Sequence, residues 1–323
     1  MERILVAGAT GQLGMAAVQQ LRAVGRPVRA LIRNPAAAPA FHLLGAETAI
    51  GDLTQPDSLA AACRGVTHIL ATANAAVPTR KGDTFDAVER LGYRNLIAAA
   101  KEAGVGRFIY TSVGESRHET SSEFFRCKRE TERALLASGI DTVILRAGIF
   151  MDLAFAMMGS EIPLRGAACP TALRPFSFSR NHFERVRNSI VTARTATIPG
   201  NGSLRQAFLC VDDVARCLVA ATADGPNGIH ALNGPEAQTF LDIVRLYERL
   251  LDTRLKVRKG PAFVFRAMSK VLRPFNPAAA NLMHLNYVAA TEETFPTPET
   301  ARTFGISLTT SEAFLRAKLA LAP

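Results

Sequence analysis

The chain opens on a short apolar run, "RILVAG" (3–8), which ends in glycine and passes straight into a helical pattern, "GQLGMAAVQQLRAVG". The same alternation continues through "PVRALIR" (27–33), "AETAIG" (46–51), "VTHILATA" (66–73), "GRFIYTS" (106–112) and "DTVILRAG" (141–148). Helical stretches near 35–44, 56–64, 84–104 and 121–139 lie between them. Brief apolar strands separated by helices require a parallel sheet covered on both faces. The expectation is therefore an α/β protein: a doubly wound, Rossmann-type parallel sheet over 1–150, then a smaller, mostly helical substrate lobe over 151–323.

Beyond about residue 150 the period is lost. Met157, Met158, Phe176, Phe178 and Phe183 fall among prolines and arginines. They read either as the roof of an apolar pocket or as the lobe's own core. "RQAFLCV" (205–211) reads as a strand, "DDVARCLVAAT" as a helix capped by Asp212 or Asp213, and "GIHALNG" as a further short strand. "FVFRAMSKVLRPF" is apolar and basic; core packing is the expectation, a membrane surface or partner helix the alternative.

"VAGATGQLG" places Gly8, Gly11 and Gly14 at the first strand-to-helix turn. Glycine there allows a tight turn, close approach of a pyrophosphate and close helix–strand packing, while the helix N-terminus offers free N–H groups. After the first strand of a βαβ pattern this predicts a dinucleotide site. An acid at the end of the second strand would favour NAD; this chain has Arg33, which suits a 2′-phosphate and so NADP(H). Asp52, after the third strand, either accepts from the adenine amine or caps the next helix.

The glycine turn, "GDL" at 51–53, "EAGVGRFIYTS", the Lys128 helix, "TVILRAGIFM", "AFLCVDDVA" and "HALNGPEAQTF" occur in that order. Together they resemble the atypical short-chain dehydrogenase/reductase superfamily, in its NmrA-like and isoflavone-reductase-like branch. The resemblance spans nearly the whole chain and is weakest over 150–205. It implies an NADP-binding Rossmann domain, with the pyrophosphate on Thr10, Gly11, Gln12 and Leu13, and Asp52 and Leu53 on the cofactor's adenine side. It further implies a floor at Thr72, Ala73 and Asn74, a ribose contact from Lys128, and a nicotinamide-side segment at Ala147, Gly148 and Ile149. Ala147 replaces the proline common in relatives, so that loop is expected to be freer.

In many relatives a Tyr-x-x-x-Lys pair and an upstream serine pass a proton to a carbonyl oxygen. Here Lys128 is kept, with Thr111 or Ser112 at the serine's place, but Phe124 stands where the phenol would be. A phenylalanine cannot donate a proton, so the tyrosine-dependent mechanism is excluded. Three readings stay open. Lys128 itself, directly or through a water, serves as acid/base for a quinone-, enone- or benzylic-type acceptor. Or His118 or Glu115, on the loop after "YTSVG", replaces the phenol. Or the protein is a non-catalytic NADP sensor, regulator or assembly factor.

The formal charge of +10 raises the question of nucleic acid, but no Lys/Arg run, zinc-finger spacing or stacking aromatics accompany it. The excess is uneven: residues 161–205 hold seven arginines against two acids. Arg165, Arg174 and Arg180 could attract an acidic group on an otherwise aromatic small-molecule substrate. Five cysteines without a C-x-x-C pair, and no zinc-ligand spacing, predict reduced thiols and no metal. The start of the chain lacks a secretion signal or membrane span, so a cytoplasmic protein is expected.

Overall fold

The computed structural model describes residues 2–80, 82–174, 178–223 and 225–321. Its main sheet begins with β1 (Ile4–Ala7), β2 (Val28–Ile32), β3 (Glu47–Ile50), β4 (His68–Ala71), β5 (Arg107–Val113) and β6 (Asp141–Ala147). In the second half, β7 (Thr195–Pro199) pairs with β11 (Lys256–Gly260), and β8 (Arg205–Gln206) with β10 (Gln238–Thr239). Between them β9 (Gly228–Leu232) returns to the main sheet beside β6. The order is β3-β2-β1-β4-β5-β6-β9, every pairing parallel. This is the Rossmann-like sheet the alternation predicts.

Five helices cover the first half: α1 (Gln12–Ala23), α2 (Ala38–Leu43), α3 (Pro56–Cys63), α4 (Tyr93–Glu102) and α5 (Glu123–Leu136). A π-helical segment, Phe85–Gly92, leads into α4. The second half carries α6 (Met151–Met157), α7 (Phe178–Val186), α8 (Ser189–Thr192), α9 (Val211–Ala220), α10 (Phe240–Leu250), α11 (Ala262–Leu272), α12 (Pro277–Thr291), α13 (Pro298–Thr303) and α14 (Ser311–Leu319).

Why β1 reads as an unbroken apolar run is visible in its packing. Ile4 and Val6 face the cluster under α1 and α9, whereas Leu5 and Ala7 face the one under α3, α4 and α5. A strand buried on both faces has no polar side to alternate with. The second half builds a separate core, with Phe155 and Phe208 rings 5.1 Å apart and Phe208 and Phe240 also 5.1 Å apart. Met158 and Phe183 are buried in such packing and Met157 lies against it, so these residues are core. Phe176 lies outside the described residues, as does the side chain of Phe178.

Two local expectations are corrected. Helix α9 starts at Val211, ahead of both aspartates, and Cys210 is its N-cap. Asp152 Oδ2 takes the Val211 N–H at 3.1 Å, which frees Asp213 to accept from Thr309 N at 2.5 Å. The second correction is larger: helix α11 has no buried residue, so its apolar side chains are not core. Among the described residues no helix is long and apolar enough to cross a membrane.

Candidate dinucleotide crevice and reaction site

The strand order reverses between β1 and β4, and the crevice of such a sheet opens beyond their C-terminal ends. Gly8 sits there with φ of +92°. A Cβ on Gly8 would lie 2.5 Å from Ala73 N, and one on Gly14 would lie 2.1 Å from Gly8 O. Neither position tolerates a side chain. Gly11 N donates to Gly8 O at 2.9 Å and closes the turn. Helix α1 then starts with no side-chain cap and no acid in its first turn, leaving free N–H groups and the positive dipole end beside the turn.

Thr10 is exposed here, and Leu13 packs against the core. The amide of Gln12 is fully used: Nε2 donates to Asp152 Oδ1 at 3.1 Å, and Oε1 accepts from Thr171 N at 2.9 Å. Only its backbone faces a ligand. Across the crevice, Thr72 N donates to Ala7 O at 2.8 Å, and Asn74 Oδ1 accepts from Ala76 N at 3.2 Å.

Arginines ring the crevice. Arg174, expected beside the substrate, instead reaches the glycine turn: a Cβ on Gly11 would meet its Nη2 at 2.8 Å. Its Nη1 donates to Val77 O at 2.7 Å. Burial pulls this guanidinium below its usual pKa, and the Arg33 charge adds to the effect. Arg33, at the end of β2, forks onto Asp83 at 2.5 and 3.1 Å and donates to Thr79 Oγ1 at 2.5 Å. Burial would raise the Asp83 pKa, but Arg33 and Thr79 hold the carboxyl well below the usual range. Asp52 neither caps α3 nor stands free: Oδ1 accepts from Thr54 N at 2.9 Å, and Oδ2 pairs with Arg80. Leu53 is buried, and its carbonyl accepts from Asn95 Nδ2 at 3.0 Å. Glycines that admit no Cβ, an uncapped helix start and a buried guanidinium over the turn fit a diphosphate.

The Lys128 environment was only half legible. Phe124 and Lys128 share one face of α5, as four-residue spacing dictates. Lys128 is 3% exposed, and its Nζ lies 3.2 Å from Glu89 Oε2. The rings of Tyr110, Tyr93 and Phe124 stand 4.9, 5.7 and 5.8 Å from that nitrogen. Glu89 Oε1 accepts from Ala75 N at 2.9 Å, tying the pair to the loop after β4. The lysine's charge is thus already answered by a carboxylate. Burial, with the Glu89 charge adding to it, pushes the Tyr93 and Tyr110 phenols well above their usual pKa, so neither supplies the proton missing at 124.

Ser112 does not act as a free hydroxyl. It is buried and donates to Glu132 Oε1 at 2.5 Å. Glu132 also accepts from Arg129 at 2.5 Å and Arg146 at 2.6 Å, which hold its carboxyl below the usual pKa against the effect of burial. Thr111 offers only its carbonyl to Lys128, at 3.5 Å. His118 turns to α12, where Nε2 lies 3.4 Å from Glu292 and its ring 4.8 Å from that of Tyr287. Glu115 pairs with Arg146 at 2.5 Å. Glu115, Arg146 and Glu292 line a charged cleft of about 770 Å³ with Arg117, Arg129 and Glu293. Ala147 ends β6 in register between Val113 and Leu232, and Gly114 N donates to its carbonyl at 3.0 Å. The loop at 147 is therefore tied, not freer. Ile149 follows and packs on the second core.

Arg165 donates to the carbonyls of Leu319 and Leu321 at the end of α14, and Arg180 bonds to Glu184 at 2.8 Å. Arg165 is thus held at the end of α14. Sequence reading missed Glu89, Glu132 and Asn281. The first two carried a signal: Glu89 falls four residues from both Phe85 and Tyr93 on an apolar face, and Glu132 falls four after Lys128. Asn281 and His284, three apart on α12, carried none. Both are buried, and both amide atoms of Asn281 and the Nε2 of His284 lack a hydrogen-bond partner among the described residues. The His284 ring lies 6.3 Å from that of Phe125 in α5.

A model of the NmrA-like family matches residues 1–315. The photosystem II assembly factor Ycf39 of Cyanophora paradoxa is 36% identical over 261 residues, 80% of this chain and 71% of that protein. An NAD(P)H azoreductase of Xenophilus azovorans is 32% identical over 46% of this chain and 49% of its own length. The crystal structure of an Escherichia coli NADPH-dependent quinone oxidoreductase in complex with NADPH superposes with a TM-score of 0.70. It covers 98% of this chain and 99% of its own, at 21% identity.

Proposed function

The chain belongs to the NmrA-like family, and on that premise we propose that it is an NADPH-dependent reductase of conjugated or aromatic acceptors such as quinones, enones or azo compounds. The observation that carries this reading is an arginine-flanked glycine crevice joined, through the Ala75 loop, to a buried lysine cage with phenylalanine at 124, where a phenol would face the acceptor, and with its two tyrosines, Tyr93 and Tyr110, buried behind the lysine. When bound, NADPH supplies a hydride. The Gly8–Gly14 turn and Arg174 hold its diphosphate, and Arg33 exchanges Asp83 for its 2′-phosphate. Lys128, paired with Glu89, orients the ribose. Phe124 and Phe125, buried beside Lys128, keep that wall of the acceptor site apolar. Acceptors of this kind take their proton from solvent after the hydride arrives, so they need orientation more than an acid.

A second reading rests on the 36% identity to an assembly factor over 80% of the chain: the protein binds NADPH and reports it without turnover. One experiment separates the two. NADPH absorbance is followed against a panel of quinones, enones and azo dyes, with Arg174→Ala beside the wild type. Turnover that falls in the variant supports the reductase. Tight NADPH binding with no turnover across the panel sinks it in favour of the second reading.

A further inference from the structure

A long acid-free stretch of this sequence surrounds α11, which buries none of its residues. From residue 253 to residue 291 there is no aspartate or glutamate, while Arg254, Lys256, Arg258, Lys259, Arg266, Lys270 and Arg273 supply seven cations. Inside it, α11 packs on α12, and Ala262, Phe265, Ser269 and Leu272 are its half-buried residues. The opposite face presents Phe263, Val264, Met268 and Val271, and Phe275 projects just past the helix end. Phe263 and Phe275 are 73% and 83% exposed. At 100° per residue Arg266, Lys270 and Arg273 form one stripe along the border of that apolar face. Exposed Lys256, Arg258 and Lys259 on β11 extend the positive field to the strand that leads into the helix.

We propose that this face docks on an anionic lipid surface, with α11 lying in the plane of the interface. Large apolar side chains bordered by a cationic stripe match the boundary between acyl chains and phosphate headgroups. The absence of acids from 253–291 selects lipid over protein, and Glu123, which reaches the end of the stripe at Arg273, is itself paired with Arg90 at 3.0 Å. A headgroup layer is uniformly negative and penalises every carboxylate brought near it, whereas a protein partner can answer mixed charges residue by residue. Lys256, Arg258, Lys259 and Lys270 have no carboxylate within 4 Å among the described residues, so their charge is available to the surface. The inference stands independently of the reductase reading.

The test is flotation of the full chain with phosphatidylcholine vesicles with and without about 30% phosphatidylserine. Binding is expected to the anionic vesicles only, and to weaken as salt rises from about 0.1 to 0.5 M. Phe263→Ser with Phe275→Ser, both on exposed positions, should reduce the bound fraction at least about tenfold at an unchanged melting temperature. Lys259→Glu with Lys270→Glu should abolish the preference for anionic vesicles. Flotation that ignores the phenylalanine pair would overturn the proposal, since charge alone would then explain it. No flotation with either vesicle, alongside saturable binding to polyglutamate, would assign the face to an acidic protein and likewise overturn it.

Discussion

Lys128 Nζ and Glu89 Oε2 stand 3.2 Å apart, and neither residue is more than 3% exposed. Removing one partner of such a pair leaves the other charge buried without an answer, at about 3–5 kcal/mol. Lys128→Met is expected to destabilise by that order. Lys128→Met with Glu89→Leu should recover much of the loss. Denaturant unfolding of the two single variants and the double variant measures the coupling; losses that simply add would show that the two charges do not depend on one another.

Ser112 was expected in a catalytic role, but its hydroxyl is bound to Glu132. Ser112→Ala should lower stability by about 1–3 kcal/mol, because one buried carboxylate oxygen loses a donor. Turnover on any accepted quinone should stay within about twofold of wild type, since no proton path is removed. A drop in kcat of a hundredfold or more, with little change in stability, would return Ser112 to the reaction.

The two crevice arginines should separate by cofactor. Arg33→Asp is expected to weaken NADPH by about 100-fold or more and NADH far less, because only NADPH carries the 2′-phosphate. Arg174→Ala should weaken both by about tenfold, since both share the diphosphate. Titration of protein fluorescence or calorimetry reads both constants. Equal losses for Arg33→Asp would show that it does not meet a 2′-phosphate.

Asn281 keeps two polar atoms buried without partners. Replacing such a group with an apolar one of similar shape is neutral or stabilising for the free protein. Asn281→Leu should therefore hold or raise the melting temperature. A marked fall would show that its amide is answered in the folded protein.

Burial raises the Asp152 carboxyl to about 6, against the opposing pull of the Val211 N–H. A carboxyl raised in the fold binds protons more tightly there than in the unfolded chain. Its contribution is therefore full below about pH 4 and is lost as pH climbs through 6, amounting to roughly 3 kcal/mol at most. Asp152→Asn should flatten the pH 4–6 limb of the melting-temperature profile. An unchanged slope would show that Asp152 is not the group responsible.

The glycine turn was readable because its demands are local: positive φ at Gly8 and a 2.1 Å collision at Gly14 follow from the chain's own next turn. Arg174 was not, since it crosses from an aperiodic segment to residue 11 by tertiary folding alone. The same distinction separates Lys128 from Glu89. A four-residue spacing announces Lys128 beside Phe124, but its carboxylate comes from another helix. For α11 the apolar and basic character is legible in "FVFRAMSKVLRPF", yet apolar content alone does not tell a buried helix from an exposed one. That answer depended on which face α12 covered.

The strand β9 closes an edge that the first half of the chain leaves open. Until Gly228–Leu232 is in place, β6 shows Val143–Ala147 with its backbone unpaired on one side. During synthesis the nucleotide-binding half is therefore complete in sequence about 80 residues before it is complete in hydrogen bonding. A ribosome-bound chain in that interval carries an apolar, adhesive sheet edge. Its escape from aggregation depends on how quickly the rest of the chain arrives.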